Sequence, residues 1–327
     1  MTQTKRKLDL IEATNEKRSK IETNTIDFLH LNDSDWNEND YKNAFETIAY
    51  KLINEYELVL NEQNLFRLCE IEFYFYQELR HADTFAHRHP EQQQSGYWYF
   101  HRQGTSATAS YKGGTYKGLD ITFSSLNDPS CGGILIRSIQ NKETNQIYEG
   151  SCLVVNAILE ICKSETIKDL VETKLNKNLN VFNQNQFIYL RSDTTTSDQR
   201  ELIASPRVGL TLKVPSIDRE RFLFRPYRFT PNDYFPSKMK ITIMLALAVE
   251  KYFNTKKEKF TDYANEIVDQ CQMRLETVKT NLKHLQTGYE MDLSKKSSPL
   301  VDYYKKNFTV SDIAIAYGIW VQKYRTN

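Results

Sequence analysis

The stretch LCEIEFYFYQELRHADTFAHRHPEQ, residues 68–92, decides how the chain is read. From Cys69 to Tyr76 it alternates as a β-strand does. Ile71, Phe73 and Phe75 fall on one face; Glu70, Glu72, Tyr74 and Tyr76 fall on the other. Two carboxylates and two phenols line a core poorly and a pocket well. His81, His87 and His89 follow at once, half of the six histidines in the chain.

Outward from this strand, the pattern at 41–56 is helical, with Ala44, Phe45, Ile48, Ala49, Leu52 and Ile53 along one face. Further strands are expected at 66–76, 96–101, 116–124 and 133–139. Glycines at 104, 113, 114, 118, 132 and 133 punctuate them and suggest hairpins of a strongly twisted sheet. A turn and helix are expected over 149–163, and a short strand over 187–191. SDTTTSDQRE reads as a loop, and RVGLTLKV and RFLFRPYRF read as strands. Beyond Pro231 the pattern becomes amphipathic and helical at 237–253, 258–286 and 309–323. The expected organisation is a disordered tail (1–40), an α+β body (41–235) and a helical C-terminal extension (236–327).

Composition narrows the function classes. With 327 residues and 40% apolar content, the chain can bury a sizeable core. No window approaches the roughly 18 consecutive apolar residues of a membrane span. The five cysteines are scattered without a CxxC pair, as buried thiols of a reducing, intracellular compartment would be. Net charge is +1, so bulk electrostatics announce no polyanion partner. Its distribution says more: 21–63 is acidic, whereas 205–240 holds eight basic residues against three acidic ones. That basic segment is either a phosphate-facing surface, with Arg207 and Lys213 as candidate DNA-backbone contacts, or a solvated face paired with acids elsewhere. In the tail, Lys5, Arg6, Lys17, Arg18 and Lys20 form two basic clusters spaced as in a bipartite nuclear import signal, which implies an import receptor as partner and a nuclear location.

Several residues carry chemistry on their own types. Glu72 in an apolar-backed pocket would suit a general base; on an open sheet face it would simply meet water. Tyr74 and Tyr76 could stack on a planar ligand. His87 and His89 could share a metal ion with Glu72 or His101, but no further ligand sits at a diagnostic spacing. YKGGTYKGLDITF lacks the GxxxxGK[ST] pattern of a phosphate loop and reads as a glycine-rich hairpin. Arg137, in the otherwise apolar GGILIRSIQ, needs a carboxylate partner, for which Glu70 and Glu72 are the nearest candidates.

In order, FETIAYKLI, CEIEFY, DTFAHRHP, GYWYFH, KGLDITF, GGILIRSI, EGSCLVVNAIL, IASPRVGL and RFLFRPYRF resemble the alkyladenine (3-methyladenine) DNA glycosylase family over residues 44–229. The resemblance implies a single curved antiparallel sheet with surrounding helices. It implies a monofunctional enzyme of DNA repair that flips a damaged purine from duplex DNA and hydrolyses its N-glycosidic bond, with no cofactor and no metal. Glu72 falls on the general base that activates water, and Arg137 on the arginine that helps hold it. Tyr74 and His87 fall on base-contacting positions. His101 replaces the family's second pocket tyrosine, and Asp120 replaces its discriminating asparagine. Tyr111 and Tyr116 are the candidates for intercalation into the DNA stack. The expectation is a nuclear, monomeric glycosylase-like protein acting on duplex DNA without a membrane; the alternative is a non-catalytic nucleic-acid or protein-binding module on the same scaffold.

Overall fold

The computed structural model describes residues 27–106, 108–193, 199–255 and 257–325. It is a mixed α+β protein built on a curled half-barrel sheet. The sheet's main path runs β1 (His30–Leu31), β6 (Leu119–Ser125), β7 (Cys131–Asn141), β3 (Asn64–Gln77), β11 (Arg228–Pro231) and β10 (Leu202–Ser205). Five strands branch from it: β2 (Tyr56–Leu60), β4 (His81–Ala82), β5 (Trp98–Phe100), β8 (Ile147–Glu149) and β9 (Ile188–Ser192).

The long central strand β3 carries an irregularity that sets which side chains face where. Its antiparallel pairing with β7 runs Leu68 to Ile139, then Glu70 to Ser138, then Ile71 to Ile136. Cys69 is therefore an extra residue on β3, and Arg137 an extra residue on β7 immediately after it. Each bulge reverses the alternation of its own strand, and together they restore the register. Phe66 and Leu68 thus share one buried face with Ile71, Phe73 and Phe75, although the two groups differ in parity. Opposite them, Ile139 shares that face with Ile136 and Ile134.

Helix α1 (Glu38–Asn54) packs on this face. Asn37 caps it, its side chain accepting from the backbone N–H groups of Asn39 and Asp40, while Asp40 returns a bond to Asn37. Tyr41, Phe45, Ile48, Ala49, Leu52 and Ile53 are its buried stripe, and the Phe45 ring stacks 4.9 Å from that of Phe73. Helix α2 (Ser151–Ile161) adds Val154, Val155 and Ile158 to the same core.

The C-terminal helices gather a second core. These are α4 (Lys240–Thr255), α5 (Ala264–Cys271), α6 (Leu275–Tyr289) and α7 (Val310–Tyr324), preceded by the shorter α3 (Ile217–Leu223). Ile203 of β10, with Leu212, Leu223 and Phe224, belongs to this core, so it draws on residues well before 236. Helices α6 and α7 touch backbone to backbone: a Cβ placed on Gly288 would lie 1.9 Å from the Ile315 carbonyl oxygen.

Several expectations need correction. Residues 27–40 do not belong to a featureless tail: Leu29 and Leu31 are buried, and β1 pairs in parallel with β6. The import-signal residues Lys5, Arg6, Lys17, Arg18 and Lys20 lie outside the described residues. RVGLTLKV is not a strand; Leu212 turns into the second core, and its carbonyl accepts from Lys305 N. RFLFRPYRF is split between the end of α3 and β11, because Pro226 withholds the donor a continuous element would need. The single helix read over 258–286 is two, broken where Gln272 adopts φ +50°.

Candidate active site

One row of side chains crosses the polar face of the sheet. Ser205 pairs with Arg228, Arg228 with Glu72, Glu72 with Leu135, Leu135 with Asp120, and Asp120 with Tyr99. Directly opposed residues of an antiparallel sheet project to the same side. Glu72 and Asp120 are two strands apart, roughly 10 Å at strand spacing, with the buried Leu135 between them.

Glu72 is fully buried and fully engaged. Its Oε2 accepts from the Tyr74 hydroxyl at 2.8 Å, and its Oε1 accepts from the backbone N–H of Val208 at 2.7 Å. Arg137 Nε stands 3.4 Å from Oε1. The same Nε donates to Glu70 Oε1 at 3.0 Å. Glu70 is held in turn by Ser138 Oγ at 2.8 Å and by Arg228 Nε at 2.8 Å. Two carboxylates and two guanidiniums thus form a neutral buried chain, Arg228–Glu70–Arg137–Glu72. Burial works against the Arg137 charge, but Glu72 and Glu70 outweigh it and hold its pKa above the ordinary arginine value. Burial, reinforced by Glu72, pushes the Tyr74 phenol well up, which keeps it a donor to the carboxylate. The Cys69 bulge turns Glu70 and Glu72 to this face, and the Arg137 bulge brings its guanidinium between them. Neither carboxylate lies on an open sheet face meeting water.

At the other end of the row is a histidine cluster. His87 Nδ1 bonds the Tyr99 hydroxyl at 2.6 Å, and His101 Nε2 bonds Asp120 Oδ1 at 2.8 Å. Gln92 Nε2 donates to Asp120 Oδ2 at 3.1 Å. The His87 and His101 ring centroids are 5.6 Å apart. Burial first, then the Lys112 ammonium and His101, lower the His87 pKa to about 4, so at neutral pH it is uncharged. A Cβ on Gly133 would lie 2.3 Å from Asp120 Oδ2; glycine is what leaves room for this carboxylate.

His89 does not join His87 as a metal ligand. Its Nε2 bonds the Ser106 carbonyl at 3.0 Å, and its Nδ1 accepts from the Glu91 N–H at 3.2 Å. Among the described residues, no group of three or more His, Cys, Asp or Glu is placed to hold a metal ion.

Other sequence candidates divide. Arg207 is not a DNA-backbone contact: its side chain is buried, paired with Asp83 Oδ2 at 2.5 Å, bonded to the Phe73 and Phe222 carbonyls and stacked 4.5 Å from the Tyr74 ring. It braces Tyr74 from behind. Lys213 is exposed. Tyr111 is not poised to intercalate: it is half-buried, and Arg102 covers its ring at 4.3 Å and donates to its hydroxyl at 3.2 Å. Tyr116 stands 77% exposed in the 3-10 turn Gly114–Tyr116 that leads into β6. Sequence reasoning missed Tyr99, Gln92, Val208 and Arg228. Tyr99 alone had a local signal, since in GYWYFH it alternates onto the face of His101.

No family model matches the chain. It is 38% identical over 191 residues to the "Uncharacterized protein L759" of Acanthamoeba polyphaga mimivirus, covering 55% of this chain and 82% of the viral protein. The chain belongs to that protein's family. The viral relative's name carries no activity, and the chemistry of the site rests on its geometry.

Proposed function

We propose that the protein is a nuclear, monomeric DNA glycosylase-like hydrolase of the alkyladenine glycosylase type, which cleaves the N-glycosidic bond of a damaged purine flipped from duplex DNA without a cofactor. In this reading Glu72 is the general base and Arg137 orients the water. Tyr74, His87, Tyr99, His101 and Asp120 bound the pocket for the base. Tyr116 enters the stack, Lys213 meets the backbone, and the 5–20 segment is read by an import receptor. The observation that supports it is the single cross-strand row joining Glu72 to Asp120 and Tyr99, with Arg137 3.4 Å from the Glu72 carboxylate. Hydrolysis requires a carboxylate fixed in orientation, a cation that aligns water against it, and a polar wall matching one base edge.

A second reading has its own observation. Both Glu72 oxygens already accept hydrogen bonds, and the side chain is fully buried. A carboxylate used that way is a brace, and the same face would then bind nucleic acid or a protein without cutting. Release of free bases from methylated and deaminated duplex DNA, followed by mass spectrometry for wild type and Glu72→Gln, separates the two. Release by wild type, reduced about 10²- to 10⁴-fold in the variant, supports hydrolysis. No release from either, with duplex binding intact, leaves the binding module.

A further inference from the structure

A cavity of about 1040 Å³ opens between the 102–117 hairpin and the 159–179 segment, next to the histidine cluster. Its volume is that of a site for a small organic ligand. Three features of its wall define what fits. The floor is apolar, formed by Leu159, Ile167 and Val171 of the main core. The side toward His101 is a planar layer: the Arg102 guanidinium lies 4.3 Å over the Tyr111 ring and is fixed by two bonds to the Glu91 carboxylate, at 3.1 Å and 2.7 Å. The rim is cationic. Glu91 offsets Arg102, and Glu172 stands 3.9 Å from Lys168. That leaves Lys112, Lys117 and Lys177 against Glu165 on the lining. Lys112 and Lys177 have no carboxylate within ion-pair distance among the described residues.

An apolar floor, a flat cationic–aromatic wall and an unneutralised ammonium rim are together complementary to a nucleobase carrying a phosphate. The position adds a direction. The backbone N–H of Lys112 donates to the His101 carbonyl at 2.8 Å, and Arg102 follows His101 in sequence, so one strand's thickness separates this cavity from the cluster that faces Asp120. The Arg102 side chain goes to Glu91 and Tyr111, whereas that of His101 goes to Asp120.

We propose that the cavity seats an unpaired nucleotide adjacent, on the same strand, to the one whose base meets His87 and His101, its ring against the Arg102–Tyr111 layer and its phosphate at Lys112 and Lys177. The proposal rests on the nucleic-acid reading of the site and not on bond cleavage there. It makes the protein a reader of two consecutive extrahelical nucleotides, with a preference for strands locally free of their complement.

The test is fluorescence anisotropy of the full chain with a labelled eight-nucleotide thymidine single strand, at several salt concentrations. Wild type, Lys112→Ala/Lys177→Ala and Lys283→Ala are compared, with circular dichroism confirming that each is folded. Wild type and Lys283→Ala, a change of one exposed lysine on α6, are expected to bind alike. The double variant should bind at least tenfold more weakly, with a salt slope shallower by roughly 1.4, two contacts at about 0.7 each for a single strand. No single-strand binding by wild type, or an unchanged slope in a folded double variant, overturns the proposal. Base release fails or succeeds independently of this result, because neither Glu72 nor its partners Tyr74, Val208 and Arg137 line the cavity.

Discussion

Arg228 shows how much rests on one residue. Its side chain is fully buried, and its Nε faces Glu70 at 2.8 Å, while Nη1 donates to Thr242 Oγ1 at 3.1 Å. Arg228→Met leaves the buried Glu70 carboxylate with Ser138 and a shared Arg137, which then has less to offer Glu72. Removing one partner of a buried pair costs about 3–5 kcal/mol. Urea denaturation should register a loss of that order, and under the proposed hydrolysis base release should fall even at temperatures where the variant remains folded. His81 offers a pH prediction. It is buried between the Phe75 carbonyl and the Tyr227 hydroxyl, each at 2.9 Å. Burial lowers its pKa to about 4, against the opposing pull of Asp83 and with Arg207 adding to the depression. Between about pH 6.5 and 4 the unfolded chain binds a proton that the folded one refuses, so stability falls as the pH drops through that window. The full loss from this group, below pH 4, is on the order of 3 kcal/mol. Stability measured against pH should be flatter over that interval in His81→Gln than in wild type, whatever the variant's absolute stability.

At the level of elements, the α6–α7 contact is the least forgiving in the helical region. Gly288 meets the Ile315 carbonyl, and a Cβ on Gly318 would lie 2.1 Å from the Leu285 carbonyl oxygen. Gly288→Ala must push the helices apart, and we expect a loss of about 2 kcal/mol or more with earlier hydrogen exchange in 275–289 and 310–324. Element by element, sequence patterning was most legible where periodicity was long. The 41–56 reading is matched by Glu38–Asn54, and 309–323 by Val310–Tyr324. It was misleading at 207–214, where an alternating pattern belongs to an irregular segment threaded between two cores. The acidic face of β3 was legible from Ile71 onward, but Phe66 and Leu68 join the same core only through the Cys69 bulge, which alternation alone hides. The partners of Glu72 were half legible: Tyr74 and Arg137 come from strands, whereas Val208 and Arg228 depend on how β11 and the 206–216 segment return to β3, a long-range event with no local trace.

For the whole molecule, the division into a body and an extension is a division of sequence more than of packing. Ile203, Leu212, Leu223 and Phe224 sit in the core of the C-terminal helices, and Phe85 packs against both cores. Arg228, one cross-strand step from Glu72, is closed over by α4 through Thr242. A chain truncated after 236 should therefore expose these apolar groups and lose the lid over the Glu70–Arg228 pair. We expect it to bind ANS strongly and to unfold without a cooperative thermal transition. A truncated chain that melts cooperatively and does not bind ANS would refute that account. Among the described residues no helix is long and apolar enough to cross a membrane.

The matched extra residues on β3 and β7 impose an arithmetic rule on how this gene can vary. Cys69 is buried but small, so its exchange for another small side chain should be tolerated. Removal of its codon would leave Leu68, Glu70, Ile71 and Glu72 in strict alternation and keep Glu72 and Tyr74 on the polar face, whereas removal of a codon between 71 and 73 would exchange odd for even along what remains of β3, sending Tyr74 inward and Phe75 into the site. Loss of Arg137 likewise leaves Ile136, Ser138 and Ile139 alternating, but it takes the arginine away. A deep scan of codon deletions should show a sharp loss over 70–76 and 132–136 and a gap at Cys69, where a missing codon leaves every side chain on its own face.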